Sequence, residues 1–279
     1  MRIWLVGKSG MLANSFEKLF AKLSVDYFVT GEQEVNICNE KAVNAITGYT
    51  HVFNCAAYTD VDKAESEEER AYQVNCEGVR NLALAAKKNS AKLVHFSTDF
   101  VFDGKKRKPY LESDPPSPLS VYGKSKWEGE KAALEISAHN LIIRTSWLFG
   151  RGRGNFVKTM VRLLQEKKSL RVVGDQVGKP TYADDLAKAT LDLLEQEGIY
   201  HVAGKGEISW HGFAEVIAEL LPEESLICET IEKIRSEEYP TAAARPEFSV
   251  LSTKKAQEFI VARDWKEGLS DYVQELIKS

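Results

Sequence analysis

Residues 2–13 constrain the fold more than any other stretch of the chain. Arg2–Val6 is a short apolar run that reads as a buried strand, and it leads directly into Gly7-Lys-Ser-Gly10-Met-Leu-Ala13. A helical pattern takes over at once, with Leu12, Phe16, Leu19, Phe20 and Leu23 on one face. Strand, glycine turn and helix, in that order, are the context a dinucleotide cradle requires. The glycines let the backbone turn sharply and approach a pyrophosphate, which then rests on the partial positive charge of the helix N-terminus. The spacing is G-x-x-G-x-x-A, with Ala13 where close helix–strand packing wants a tiny residue. A plain βα turn carries the same glycines, so the rest of the chain must decide between them. A P-loop is excluded, because the earlier glycine it needs would fall at Arg2.

Further apolar strand candidates recur at Tyr27–Val29, His51–Asn54, Lys92–Ser97, Asn140–Thr145, Leu170–Val173 and Ile199–Val202. Helical patterns lie between them, the clearest at Glu67–Lys88 and Ser120–Ser137. Strands alternating with helices predict an α/β fold: a Rossmann-type doubly wound parallel sheet, covered on both faces. After about Gly150 the texture changes, with the glycine-rich Arg151-Gly-Arg-Gly154, mixed short elements and a helical C-terminus from Trp265. We expect a smaller, partly interleaved C-terminal α/β lobe for substrate. The expected division is 1–149 plus about 175–203 for the dinucleotide-binding domain, and about 150–174 plus 204–279 for the lobe. Ligands of such sheets bind beyond the strands' carboxyl ends, where Gly7–Gly10, Asn54–Asp60, Ser97–Phe102 and Thr145–Gly150 lie.

Composition narrows the function classes. A net charge of −4 argues against a nucleic-acid backbone as partner, and Lys105-Lys-Arg-Lys108 reads as a solvated loop. Cys38, Cys55, Cys76 and Cys228 have neither paired metal spacing nor the look of a secreted disulfide framework. The five histidines are scattered, so no metal is expected. No charged-then-apolar leader and no apolar run near the length of a span are present, and a cytoplasmic protein without membrane partners is the expectation.

Tyr122-Gly-Lys-Ser-Lys126 carries the chemistry. Residues at i and i+4 share a helix face, so a phenol and an ammonium stand one turn apart. A cation that close is expected to favour the phenolate and lower the tyrosine pKa, which suits proton donation to a carbonyl oxygen as hydride reaches its carbon. Ser97-Thr98-Asp99 places hydroxyls at a strand's carboxyl end, where one can bond the substrate carbonyl and the tyrosine together. The same residues could simply end the strand and cap local backbone.

With these elements in place the chain resembles the dTDP-4-dehydrorhamnose reductase family of extended short-chain dehydrogenase/reductases. The resemblance runs through Cys55-Ala-Ala-Tyr-Thr-Asp-Val-Asp62, Ser97-Thr-Asp-Phe-Val-Phe-Asp-Gly104 and Arg144-Thr-Ser-Trp-Leu-Phe-Gly150. It continues in Asn155-Phe-Val-Lys-Thr159, Asp175-Gln-Val-Gly-Lys-Pro-Thr181 and Ala244-Arg-Pro246. It implies reduction of the C4 keto group of the nucleotide sugar dTDP-4-dehydro-L-rhamnose by NAD(P)H. Tyr122 would be the proton donor, Lys126 would hold the nicotinamide ribose, and Thr98 would tune the tyrosine. Gly7, Gly10, Met11 and Leu12 would meet the pyrophosphate, Asn36 and Ile37 the adenine, and Ala57, Tyr58 and Thr59 the inner cofactor. Thr98, Asp99, Phe100, Trp147, Asn155 and Arg245 would face the substrate. On residue chemistry alone, Lys126 is equally a surface lysine, Trp147 a core residue and Arg245 half of a surface ion pair.

Three positions depart from the family pattern. Asn36 stands where an aspartate is usual, Phe100 where a tyrosine is common, and Ser15 where some members carry a glutamate linked to metal-bridged dimers. A monomer or weak homodimer is therefore expected. At the end of the second strand, Thr30-Gly31-Glu32 favours NADH while Lys8 favours NADPH, and the balance tips towards NADPH with NADH possible. A dehydratase is disfavoured because Asp99 is followed by Phe100 rather than a second acid. An epimerase on the same three residues, and a non-catalytic NADP-binding regulatory subunit like that of methionine adenosyltransferase, are the alternatives.

Overall fold

The computed structural model describes residues 1–152 and 154–278; Arg153, in the glycine-rich stretch, and Ser279 lie outside the described residues. Among the described residues, six parallel strands form the main sheet: β1 (Arg2–Val6), β2 (Asp26–Thr30), β3 (His51–Asn54), β4 (Lys92–Thr98), β5 (Leu141–Thr145) and β6 (Gly198–His201). Their spatial order is β6-β5-β4-β3-β1-β2. The chain winds outward from β1 in both directions, so the β1–β3 boundary is the switch point at which such sheets open a crevice.

Strand periodicity divides the core. Ile3 and Leu5 of β1 pack with Phe16, Phe20, Phe53 and Val94 on one face, while Trp4 and Val6 pack with Val52, Leu82 and Leu93 on the other. The helix Met11–Leu23 covers the first face beside the helix Ala183–Asp192, whose Leu186 and Ala187 join the same cluster. A third cluster lies in the C-terminal half, where Phe149, Val157, Leu164, Phe213, Trp265 and Leu269 meet.

Two expected elements differ. The apolar run Leu170–Val173 does form a strand, but Ser169–Val173 pairs with Thr230–Ile234 in a separate parallel ribbon. A central strand of a sheet covered on both faces needs apolar residues throughout. Here Arg171 is exposed between Leu170 and the buried Val172, which suits a ribbon covered on one side. The helix expected over Glu67–Lys88 is interrupted by a π-helical turn at Gln73–Glu77. Such a bulge re-aims side chains and often marks a working site; this one points Asn75 into the protein, 1% exposed. No described helix is long and apolar enough to cross a membrane.

Candidate active site

A cleft of about 840 Å³ lies along the carboxyl ends of β1, β3, β4 and β5 and runs out to the C-terminal lobe. At its inner end is the glycine turn. Gly7 has φ +103°, and a Cβ there would come within 2.7 Å of Ala56 N, so only glycine lets the turn pass this close to the loop after β3. Gly10 caps the following helix without a side-chain hydrogen bond, leaving first-turn N–H groups directed at the cleft. A pyrophosphate fits those donors.

The loop after β3 is held by the π-helical turn. Tyr58 N–H donates to Asn75 Oδ1 at 2.9 Å, and Asn75 Nδ2 donates to Tyr58 O and to Ser125 Oγ, both at 3.0 Å. Ser125 Oγ in turn donates to the Tyr122 carbonyl at 2.9 Å. One buried amide thus ties Ala57–Thr59 to the helix Val121–Ile136, and Asn75 is a site-building residue the sequence reading missed.

Helix Val121–Ile136 starts where Ser120 Oγ accepts from Gly123 N–H at 3.1 Å, an ordinary N-cap. It then passes so close to Phe100 that a Cβ on Gly123 would lie 2.3 Å from the Phe100 carbonyl oxygen. That approach brings Tyr122 against the end of β4, with its ring edge-on to Phe100 at 5.7 Å. Thr98 Oγ1 donates to Asp99 Oδ1 at 3.1 Å and accepts from Phe100 N–H at 3.2 Å. Burial pushes the Tyr122 phenol up to about 12; the neighbouring Thr98 hydroxyl opposes the rise and the Asp99 charge adds to it. The expected depression by Lys126 is not what this environment produces. Lys126 Nζ donates instead to the Phe96 carbonyl at 2.6 Å, and burial lowers its own pKa to about 8 while Glu130 opposes the fall. Tyr122 consequently keeps its proton at neutral pH, the form a donor needs.

Asp99 is 2% exposed, and burial raises it to about 6 although the neighbouring Ser249 hydroxyl and the Thr98 hydrogen bond pull it down. Its Oδ2, Ser97 Oγ and Thr145 Oγ1 are buried without a protein partner, and all three residues line the cleft. Buried polar atoms of that kind call for a ligand or water.

At the outer end Trp147 takes φ +47° and stacks on Trp210, with ring centroids 3.5 Å apart and planes within 5°. Phe156 flanks the pair. Arg245 makes a bidentate pair with Asp62, at 3.1 and 2.7 Å. This holds the Asp62 carboxyl below the usual range.

Among the expected site residues, Gly7, Gly10, Met11, Leu12, Asn36, Ile37, Ala57, Tyr58, Thr59, Thr98, Asp99, Phe100, Tyr122, Lys126, Trp147, Asn155 and Arg245 all line this one cleft. Thr30 does not: its Oγ1 accepts from Trp4 Nε1 at 2.8 Å and its carbonyl from the Gly7 and Lys8 N–H groups, so it shapes the turn from behind. Asn155 reaches the cleft, but its amide is engaged locally, capping Lys158 N–H and donating to Gly150 O and Tyr272 Oη. Asn36 Oδ1 accepts from Cys38 N–H at 2.9 Å. Arg70, which the sequence reading passed over, lines the cleft beside Glu32 and pairs with it at 2.6 Å.

Comparison with known proteins agrees with this architecture. The spore coat polysaccharide biosynthesis protein SpsK of Bacillus subtilis (strain 168) is 39% identical, over 98% of this chain and 97% of that protein. The crystal structure of a dTDP-4-dehydrorhamnose reductase, an RfbD ortholog from Clostridium acetobutylicum ATCC 824, superimposes with a TM-score of 0.94 at 38% identity, covering 99% of this chain and 100% of that one. The dTDP-4-dehydrorhamnose reductase of Bacillus anthracis str. Ames, solved in complex with NADP, gives a TM-score of 0.93 at 35% identity, covering 98% and 99%. The family described as the RmlD substrate binding domain matches residues 1–278. The chain therefore belongs to the RmlD substrate binding domain family of dTDP-4-dehydrorhamnose reductases.

Proposed function

We propose that this protein reduces the C4 keto group of dTDP-4-dehydro-L-rhamnose to give dTDP-L-rhamnose, with Tyr122 as proton donor. The observation that carries the reading is the convergence of Thr98, Tyr122 and Lys126 on one cleft with the glycine turn at its inner end. NADPH, when bound, supplies the hydride. Gly7–Leu12 would hold its pyrophosphate, and Lys8 and Arg70 bring positive charge to the end of β2, which favours a 2′-phosphate. The NADP complex of the Bacillus anthracis relative supports that choice; Glu32 leaves NADH as a second substrate.

The residues divide the work as follows. Thr98 orients the ketone towards Tyr122, which passes its phenolic proton to the carbonyl oxygen. Lys126 positions the ribose and steadies the phenolate that forms. Ser97 and Thr145 offer hydroxyls to polar groups brought to the cleft floor, and Trp147 and Trp210 give the sugar an aromatic wall that excludes water. Arg245 suits a diphosphate, since its planar fork makes paired hydrogen bonds, and it would exchange Asp62 for the substrate. We place the protein in the cytoplasm, a reading its four free cysteines support, and read it as a monomer or weak homodimer.

The test follows loss of reduced-nicotinamide absorbance with NADPH, and separately NADH, on adding dTDP-4-dehydro-L-rhamnose. Oxidation that needs the sugar and vanishes in Tyr122→Phe is the expected result. Cofactor binding without any sugar-dependent turnover would overturn the assignment.

A further inference from the structure

Lys126 is enclosed by an unusual set of partners for an ammonium. Its Nζ donates to the Phe96 carbonyl and lies 3.3 Å from His95 Nε2, both on β4. The charged and titratable groups that act on it are Glu130 one turn ahead and the Cys55 thiol after β3, while Tyr122 stands one turn back on its own helix. The Glu130 carboxylate is already taken by two hydrogen bonds from Arg144 of β5. Among the described residues no carboxylate bonds Lys126 directly.

His95 is fully buried, and its Nδ1 lies 3.1 Å from Asn54 Nδ2. The Asn54 amide is oriented independently, because its Oδ1 accepts from the Ala56 backbone N–H at 3.1 Å. Its NH₂ end therefore faces the ring, and an amide NH₂ only donates. His95 Nδ1 must accept, which leaves the ring proton on Nε2, the atom turned to Lys126. An ammonium has no lone pair to receive that N–H; an amine does.

We propose that His95 positions and tunes Lys126: Asn54 fixes the imidazole as its Nε2–H tautomer, and that N–H favours the lysine amine over the ammonium. Burial, with the neighbouring lysine, holds the ring well below its ordinary value, so it stays neutral. Burial already lowers the Lys126 pKa to about 8, and the ring N–H acts in the same direction. The consequence, which rests on the reductase reading above, concerns the proton Tyr122 gives away. An N–H bond of the Lys126 ammonium breaks, a phenolic O–H bond reforms on Tyr122, and His95 then caps the amine lone pair. Solvent later returns one proton to the lysine, and nothing is oxidised or reduced in this step.

The first test needs no turnover. Long-range ¹H–¹⁵N correlation on the ¹⁵N-labelled protein distinguishes ring tautomers, and His95→Gln identifies the His95 signals. We expect a neutral Nε2–H pattern from about pH 6 to about pH 9. A Nδ1–H pattern, or a cationic ring in that range, overturns the assignment. The second test is Asn54→Asp, whose carboxylate accepts from both Ala56 N–H and His95 and so forces the Nδ1–H tautomer. The freed Nε2 lone pair then accepts from the ammonium, and the alkaline limb of the kcat/KM profile moves up by about one pH unit. An unmoved limb counts against the proposal. Should Asn54→Asp not fold, His95→Gln can turn its carbonyl to the ammonium, and the same upward shift is expected with cofactor affinity held within about twofold. A protein with the Nε2–H ring but no sugar-dependent turnover keeps the His95 assignment and loses the reductase reading.

Discussion

Arg144 and Glu130 form an ion pair whose energetics can be worked out from its surroundings. Both side chains are 2% exposed, and the guanidinium makes two bonds to the carboxylate, at 2.8 and 2.6 Å. It also lies over the Phe102 ring at 5.2 Å and 3.4 Å from His201 Nε2. His201 Nδ1 is 3.1 Å from the Tyr110 carbonyl and must donate to it, so its Nε2 accepts from Arg144. Removing one charge of a buried pair costs about 3–5 kcal/mol, because the other is left without compensation. Arg144→Met and Glu130→Leu are each expected to lose that much. Replacing both with apolar groups of similar volume is often close to neutral. The double variant should therefore cost only about 1 kcal/mol, chiefly from His201 Nε2 left without a donor. Urea unfolding of the four proteins measures the cycle, and at a slope of about 3 kcal/mol/M each single change lowers the midpoint by more than about 1 M. A double variant as unstable as the two single losses added together would refute the reasoning. The restored double variant also reports on chemistry. Glu130 is the first group opposing the fall of the Lys126 pKa. Without it, the alkaline limb of the activity profile should move below that of the wild type.

Tyr122→Phe removes the proposed proton donor and little surface, so turnover should fall by about 10²-fold or more while cofactor affinity changes by less than about threefold; near-normal turnover in stopped assays would sink the assignment. Lys126→Ala should weaken both turnover and NADPH binding, and calorimetry showing unchanged NADPH affinity would mean the lysine does not touch the ribose. Gly7→Ala forces a Cβ to 2.7 Å from Ala56 N at φ +103°, so NADPH binding should drop sharply, read by fluorescence titration; intact binding would disprove the close approach. Asp99 is raised from its ordinary 3.8 to about 6 on folding, so the folded state binds its proton more tightly. Its contribution is favourable below pH 4 and is lost as pH rises through about 6, amounting to about 3 kcal/mol at neutral pH. Asp99→Asn should then flatten the stability profile between about pH 4 and about pH 6 and raise the melting temperature at neutral pH, while lowering activity. A profile as steep as the wild type's would show that Asp99 does not titrate in this range.

What the sequence made legible follows from how local each signal is. The first strand, glycine turn and helix start were readable because residues 2–13, adjacent in the chain, carry the whole device, and the structure places the turn in the cleft. The Tyr122–Lys126 pair was readable for the same reason, since helical spacing alone puts both on one face. Their proton affinities were not. Spacing predicted a phenol lowered by its lysine, yet burial dominates both groups, and burial is a property of packing between β4, the β3 loop and the helix. The sheet was legible strand by strand, but the partner of Leu170–Val173 was not, because Thr230–Ile234 is more than fifty residues away and shows no apolar run of its own. Asn75 and His95 mark the same boundary. Each is a single polar residue whose role no local spacing announces. Each becomes meaningful only when the fold brings its partners to it: Tyr58 and Ser125 to Asn75, Asn54 and Lys126 to His95. A buried polar side chain is costly unless satisfied, so the partners it finds indicate what it is there to hold. In this protein both lead to one cleft, through the loop after β3 in one case and Lys126 in the other.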